Sequence, residues 1–351
     1  MMQVGFPRLD GLRSDTPRSG MGILRRTLAI AFTLVLLCAL AFSSAVRAGA
    51  LEMRTFVRTV ADIDRAAAFY ESALEFKRVS DRIIVDQDYD YLTGVFAARV
   101  RNVTLQLGEE TIELEQFLVP TNDPIRMEGR SQDLWFQHMA IVVSDMQRAY
   151  ERMLRHGAKL ISDGPQTIPA SNAAAAGIQA LKFRDPDGHP LELLQFPADK
   201  GQPRWQRAAG RLFLGIDHSA ITVSDTEQSA AFYRDLLGLT IDGESLNTGI
   251  TQERLDGAPG ARVRVTGLRP ARPSGPGLEF LHYLAPSDGL RSPDSASSGA
   301  RPNELLRTRV VLEVVDLDAL AAKLQAHKAR FVSPRVVAFA GAGLQQRTHR
   351  A

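Results

Sequence analysis

From residue 51 onward, short runs in which apolar and polar positions alternate are interrupted four times by a stretch of helical periodicity, always in the same order. A strand-like run ends in Val-x-Asp and passes into an amphipathic helix at Val60-Ala61-Asp62, Val143-Ser144-Asp145, Val223-Ser224-Asp225 and Val314-Val315-Asp316. Each Asp stands where its carboxylate can accept from the free N–H groups of a first helical turn, so each predicts a helix start. The first and third helices share an aromatic pair at core-packing spacing, Phe69-Tyr70 and Phe232-Tyr233, and the second and fourth end as ERMLRHGAKLIS and AKLQAHKARFVS. Period-two runs follow the helices and close on Ile112-Glu113-Leu114, Leu191-Glu192-Leu193 and Leu278-Glu279-Phe280. Ahead of the second of these, Asp185-Pro186-Asp187-Gly188 predicts a tight hairpin turn.

The repeat defines an α+β chain of tandem βαβββ modules near 51–120, 132–197, 211–284 and 305–351. The Pro- and Gly-rich stretch 198–210 reads as a linker and 285–303 as a loop, which divides the chain into domains 51–197 and 211–351. In the second module Gly177-Ile178-Gln179 leads on to RDPDGHPLELLQF, whereas Gly343-Leu344-Gln345 in the fourth is followed only by QRTHRA. The fourth module is therefore expected to lack its last strand and that strand's Glu, leaving an unpaired sheet edge.

The N-terminus changes the expected compartment. Residues 1–50 read as a leader: within 21–50, Arg25 and Arg26 precede an apolar run from Leu28 to Phe42, with small-residue cleavage candidates at Val46-Arg47-Ala48 and Ala48-Gly49-Ala50. Cleavage makes the protein exported, periplasmic or secreted; an uncleaved run would anchor it in a membrane. The single cysteine, Cys38, lies in this leader, so disulfides and thiol chemistry are not expected of the mature chain. Residues 1–50 hold six Arg and two Asp, which leaves 36 basic against 38 acidic residues and gives no reason to expect nucleic acid as a partner.

Two histidines recur at one offset. Seven residues before the capping Asp stand Thr55, His138, His218 and Arg309 in modules one to four. His138 in HMAIVVSD and His218 in HSAITVSD each share a strand face with small or apolar residues. Glu192 and Glu279 sit between apolar residues in strands expected to be buried, where a carboxylate must be paired, protonated or metal-bound. Glu113 has Glu115 two positions on, which reads as an exposed face. His156, His189, His282, His327 and His349 are assigned to surface or packing.

These modules and positions resemble the vicinal-oxygen-chelate superfamily of glyoxalase, bleomycin-resistance and extradiol dioxygenase proteins. The resemblance spans nearly all of the chain after the leader. It implies that modules pair into two cup-shaped sheets, with metal ligands near the start of the first strand and on the last strand of each. Transferred here, it marks His138, Glu192, His218 and Glu279 as ligands of a divalent metal (Zn, Ni, Co, Mn or Fe), Glu192 and Glu279 as catalytic, and Arg309 as a substrate-binding cation. Two pairings stand open. Sequential pairing gives one cup with Glu113, His138, Glu192 and Thr55 and another with His218 and Glu279 opposite Arg309; nested pairing of module two with three gathers both histidines and both glutamates. The implied function is a lyase, isomerase or dioxygenase acting on a small substrate with vicinal oxygens, or a metal-free small-molecule binding protein. A second copy of the chain is the one candidate protein partner.

Overall fold

The computed structural model describes residues 49–121, 129–272, 275–290, 302–305, 307–341 and 344–348. Apart from Gly49 and Ala50, the leader lies outside the described residues. No helix among the described residues is long and apolar enough to cross a membrane.

Module 1 comprises β1 (Ala50–Thr59), α1 (Ile63–Leu74), β2 (Lys77–Ile84), α2 (Gln87–Thr93), β3 (Arg99–Leu107) and β4 (Glu110–Val119). Module 2 comprises β5 (Gln137–Val143), α3 (Met146–Arg155), the short β6 (Lys159–Leu160) and β7 (Gln166–Thr167), β8 (Gln179–Arg184) and β9 (Pro190–Gln195). After a 3-10 turn at Pro203–Gln206, module 3 holds β10 (Phe213–Thr222), α4 (Thr226–Ala230, continued as a π-helix over Ala231–Leu236), β11 (Thr240–Thr248), α5 (Ile250–Asp256), β12 (Arg262–Arg269) and β13 (Gly277–Ala285). Module 4 holds β14 (Thr308–Val314), α6 (Leu317–Ala326), β15 (Val337–Gly341) and β16 (Leu344–Thr348).

All four Val-x-Asp aspartates cap their helices: Asp62 accepts from the N–H groups of Asp64 and Arg65, Asp145 from Arg148, Asp225 from Gln228 and Asp316 from Ala319. The Asp185–Gly188 turn joins β8 to β9, with Gly188 at a φ of +96° that an L side chain rarely adopts.

The sheets do not follow the division into 51–197 and 211–351. One sheet has the order β14-β1-β4-β3-β2, and the other runs β11-β12-β13-β10-β5-β9-β8-β6. Modules 1 and 4 thus meet through antiparallel β1 and β14, and modules 2 and 3 through antiparallel β5 and β10. β5 and β10 are covered almost throughout and take central positions, whereas β14 is only partly covered along its length and stands at an edge. Among the described residues β14 pairs only with β1, and β15 and β16 form a separate hairpin.

One large apolar cluster takes in α1, α3 and strands of both sheets, including Phe56, Ile141, Phe183, Phe213 and Phe280. Beside it lies a buried polar joint between modules 1 and 2. The Arg58 side chain, 0% exposed, donates from Nη1 to the Tyr70 hydroxyl (2.9 Å) and from Nη2 to the Pro190 carbonyl (3.2 Å). Tyr70 donates to Asp185 Oδ2 (3.0 Å), and His189 Nδ1 lies 3.0 Å from the same oxygen. His189 is therefore a packing residue. Burial opposes the charge of Asp185, but His189 and Arg58 outweigh it and hold the carboxyl down to about 2.

Because its folded pKa lies below the usual carboxylate value, Asp185 contributes stability that is present above pH 3.8 and is lost as pH falls through 2. Asp185→Asn leaves a buried guanidinium short of its counter-charge and is expected to cost about 3–5 kcal/mol in urea unfolding at pH 7. A cost below about 1 kcal/mol, the range of ordinary surface changes, would show the joint to be dispensable.

Candidate metal centre

The pairing of β5 with β10 positions the site. In that register Ala220 faces His138, and His218 faces Ala140. The parallel neighbours bring Glu279 opposite Ala220 on one side and Glu192 opposite Ala140 on the other. Four adjacent strands, β13, β10, β5 and β9, each therefore contribute one side chain to one face, with the histidines in the middle and a glutamate on either flank.

His138 Nε2 lies 3.1 Å from Glu192 Oε2, His218 Nε2 3.9 Å from the same oxygen, and His218 Nε2 3.3 Å from Glu279 Oε2. Ligating atoms of His138, Glu192 and His218 all lie within 4.8 Å of one another, and all three residues are buried. Metal bonds of about 2.0–2.2 Å place neighbouring ligand atoms about 3–3.5 Å apart, so the set needs little movement to close on an ion. Its unsatisfied atoms fit the same conclusion. His138 Nδ1 is buried without a hydrogen-bond partner, and the Nε2 atoms of both histidines meet only the carboxylates of Glu192 and Glu279, so an ion between these groups would satisfy imidazole and carboxylate together. The residues present can hold a divalent ion.

The two histidines differ in charge. For His138, burial outweighs the opposing pull of Glu192 and drives the pKa down to about 4. For His218, burial is the largest influence and disfavours charge, but Glu279, Asp217 and Glu192 together overcome it and lift the pKa to about 9. The glutamates split as well. Burial disfavours the charge of Glu192, yet His138, Lys182 and His218 prevail and hold it at about 2; burial raises Glu279, and His218 only partly compensates.

Beyond Glu279 the face opens into a cavity of about 210 Å³ lined by His218, Glu244, Ser245, Gly267, Arg269 and Glu279, among others. Gly243 pairs with Gly267, which in turn pairs with Glu279, so two successive strands present no side chain beside the carboxylate. The Glu279 side chain is 30% exposed, against 7% for Glu192.

Three further residues were not singled out from the sequence. Asp217 Oδ2 is 3.0 Å from His218 Nδ1, the contact that orients a ligating imidazole. Lys182 lies opposite Glu192 on β8 and donates to Asp256 Oδ1 (2.6 Å). Arg269 bonds Asp242 and reaches the Asp217 carbonyl. A lysine within the apolar run QALKFR and an aspartate directly before His218 were the available signals.

The other cup holds the residues that pairing of modules two and three leaves over. Thr55, Glu113 and Arg309 lie in the five-stranded sheet, and Val57 is paired with both Arg309 and Glu113. By register Arg309 occupies the place of His138, Thr55 that of His218 and Glu113 that of Glu279. Arg309 is not brought to the histidines; it is ion-paired with Glu115. Glu115, expected on an exposed face, is buried and also accepts from the Tyr89 hydroxyl, while Glu113 accepts from Asn102 Nδ2 (2.7 Å). Alternation of acidic residues signals solvent only when nothing covers that face, and here β14 and α2 supply partners.

A sheet built from two βαβββ modules, with two His and one Glu converging from its central strands and a second Glu beside His218, is the arrangement of a vicinal-oxygen-chelate type of protein. A model of the Glyoxalase/Bleomycin resistance protein/Dioxygenase superfamily matches residues 53–193 and 215–344, and the chain belongs to that superfamily. A 2-epi-5-epi-valiolone epimerase from Actinomyces sp is 30% identical over 171 residues, covering 47% of this chain and 89% of that protein. Glyoxalase I from Zea mays shares the fold, with a TM-score of 0.53 and 16% identity over 85% of this chain and 87% of its own.

In the metal-free protein, histidine proton resonances followed against pH are expected to show His218 titrating near 9 and His138 near 4. The raised His218 pKa contributes stability that is full below 6.5 and is lost as pH rises through 9; the depressed His138 pKa contributes above 6.5 and is lost as pH falls through 4. Two midpoints together near 6.5 would contradict this electrostatic picture.

Proposed function

We propose that this is an exported, divalent-metal-dependent epimerase or isomerase that moves a proton at a carbon next to the carbonyl of a small hydroxylated ketone. The observation that carries the reading is the convergence of His138, Glu192, His218 and Glu279 from four adjacent strands, with imidazole nitrogens left unsatisfied. The kinship with an epimerase favours enzymatic activity of this general kind, and the export element rests on the leader-like sequence 21–50.

A divalent ion bound there supplies Lewis acidity at two vicinal oxygens of the substrate. His138 and His218 would hold that ion through Nε2, together with the flanking Glu192, whose Oε2 lies 3.1 and 3.9 Å from those nitrogens. Glu192 and Glu279 flank the histidine pair from opposite sides, the arrangement needed to remove a proton from one face of a carbon and return one to the other. Their environments divide the labour: Glu192 enters the reaction charged, and Glu279 is the readier to carry a proton. Glu279 also borders the cavity, whose size and polar lining of Glu244, Ser245 and Arg269 suit a small neutral polyol more than a bulky conjugate. Glu279, part-exposed and the readier of the two glutamates to take up a proton, favours proton transfer over the dioxygenase reading, which leaves a fourth acid-base group without a task.

Elemental analysis of the chain from residue 51, equilibrated with Zn, Ni, Co, Mn and Fe in turn, should find stoichiometric metal in the wild type and none in His138→Ala or His218→Ala. Wild type that stays metal-free with every ion would overturn the reading in favour of a metal-free binding protein. With a hydroxyketone substrate, Glu279→Gln should slow exchange of the carbon-bound proton with deuterated water by about 10²–10⁴-fold, the usual contribution of a positioned acid-base group.

A further inference from the structure

The β3–β4 turn of module 1 belongs to the sheet that lacks the histidines, yet it reaches the strand that carries His218. Gly108, at a φ of +63°, brings that turn against the β10 backbone at Leu214. From the same turn, Glu110 extends its carboxylate beneath β10 and accepts the N–H of Ile216 (3.1 Å). A Cβ at position 215 would overlap Glu110 Oε2 and come within 3.0 Å of the Trp205 ring, so Gly215 is what leaves room for both.

The Ile216 N–H matters because β10 is irregular there. Ile216 faces Ile141 and His218 faces Ala140, so Asp217 is one extra residue on β10 with no counterpart on β5. A bulge of this kind re-aims the side chains around it. Here it turns the Asp217 carboxylate onto the neighbouring imidazole, 3.0 Å from His218 Nδ1. The other carboxylate oxygen accepts from the indole N–H of Trp205 (2.8 Å). Trp205 lies in the linker, buried against Val142 and Leu214, with the Arg204 guanidinium 3.9 Å from the centre of its ring. Arg204 closes the circuit by pairing with Glu110.

We infer that Glu110, Trp205 and Asp217 are positioning residues that together fix the His218 ring with Nε2 turned towards the candidate metal centre. The sheet without histidines is then a working part of the site, because one of its turns secures the bulge from which a ligand projects. His138 has nothing equivalent: its Nδ1 is buried without a hydrogen-bond partner. The inference rests on the metal reading above for its consequence, but the geometry it describes exists without metal.

The test uses the chain from residue 51 with cobalt(II) as the probe. Affinity is read by chelator competition, and the ring nitrogens of the metal-free protein by ¹⁵N NMR. Trp205→Phe keeps an aromatic ring in the pocket and removes only the donor. Asp217→Asn is expected to weaken cobalt binding about 10–100-fold, the usual effect of losing a partner behind a metal-bound histidine. Trp205→Phe should weaken it by about fivefold, as for the loss of one hydrogen bond. The double variant should be no weaker than Asp217→Asn alone, since the indole acts only through the carboxylate. Glu110→Gln should shift the His218 Nδ1 resonance while leaving that of His138 in place, which a general loss of stability would not do. Wild-type affinity in Asp217→Asn, additive losses in the double variant, or an unmoved His218 resonance would each overturn the inference. A wild type that binds no cobalt sinks the metal reading alone, and the Nδ1 resonances still decide the relay.

Discussion

The antiparallel pairing of β5 with β10 is the constraint from which the site follows. With Ala220 against His138 and His218 against Ala140, two imidazoles on different modules face one space, and the parallel neighbours add a carboxylate at each side. A slip of one residue would turn one histidine to the opposite face, where α3 and the apolar cluster lie. The small side chains of Ala140 and Ala220 are part of the same constraint, since they keep the space between the rings open.

What the register assembles, burial then differentiates. In water the two histidines would titrate alike, as would the two glutamates, but in the cup each group is set by its nearest opposite charge and by how much solvent it retains. Glu192 is enclosed beside His138 and across from Lys182, so its charge is secured; Glu279 borders a cavity cleared by Gly243 and Gly267 and keeps its proton more readily. The corresponding wall of the other sheet carries Ser80 against Thr104 where the glycines stand, and Arg309 where His138 stands. The same backbone thus yields a polar face engaged with its own side chains.

Much of this was legible in the chain because it is written locally. The capping aspartates, the alternating strands and the hairpin at Asp185–Gly188 depend on neighbours a few residues away, and the recurrence of His at one offset pointed to His138 and His218. Two features were not legible. The choice of partner strand joins segments far apart in the chain, β1 with β14 and β5 with β10, and no local pattern records it. Glu115 was read as solvent-facing because its partner Arg309 lies 194 residues further on. The bulge at Asp217 is equally hidden, since an extra residue in a strand has no composition of its own.

The nested order of the pairs also bears on how the chain assembles. Across the β5–β10 pair, Gln137 meets Ser219 at a separation of 82 residues, whereas Thr59 meets Pro302 across 243. Loop closure becomes costlier with length, though slowly, and contacts between distant segments are made late when nearer ones can form first. The inner cup is enclosed within the loop that the outer one must close, so its formation shortens that loop before β14 arrives. A folding chain would accordingly hold both histidines in place before β14 docks, and that partly covered strand is one that can wait in water.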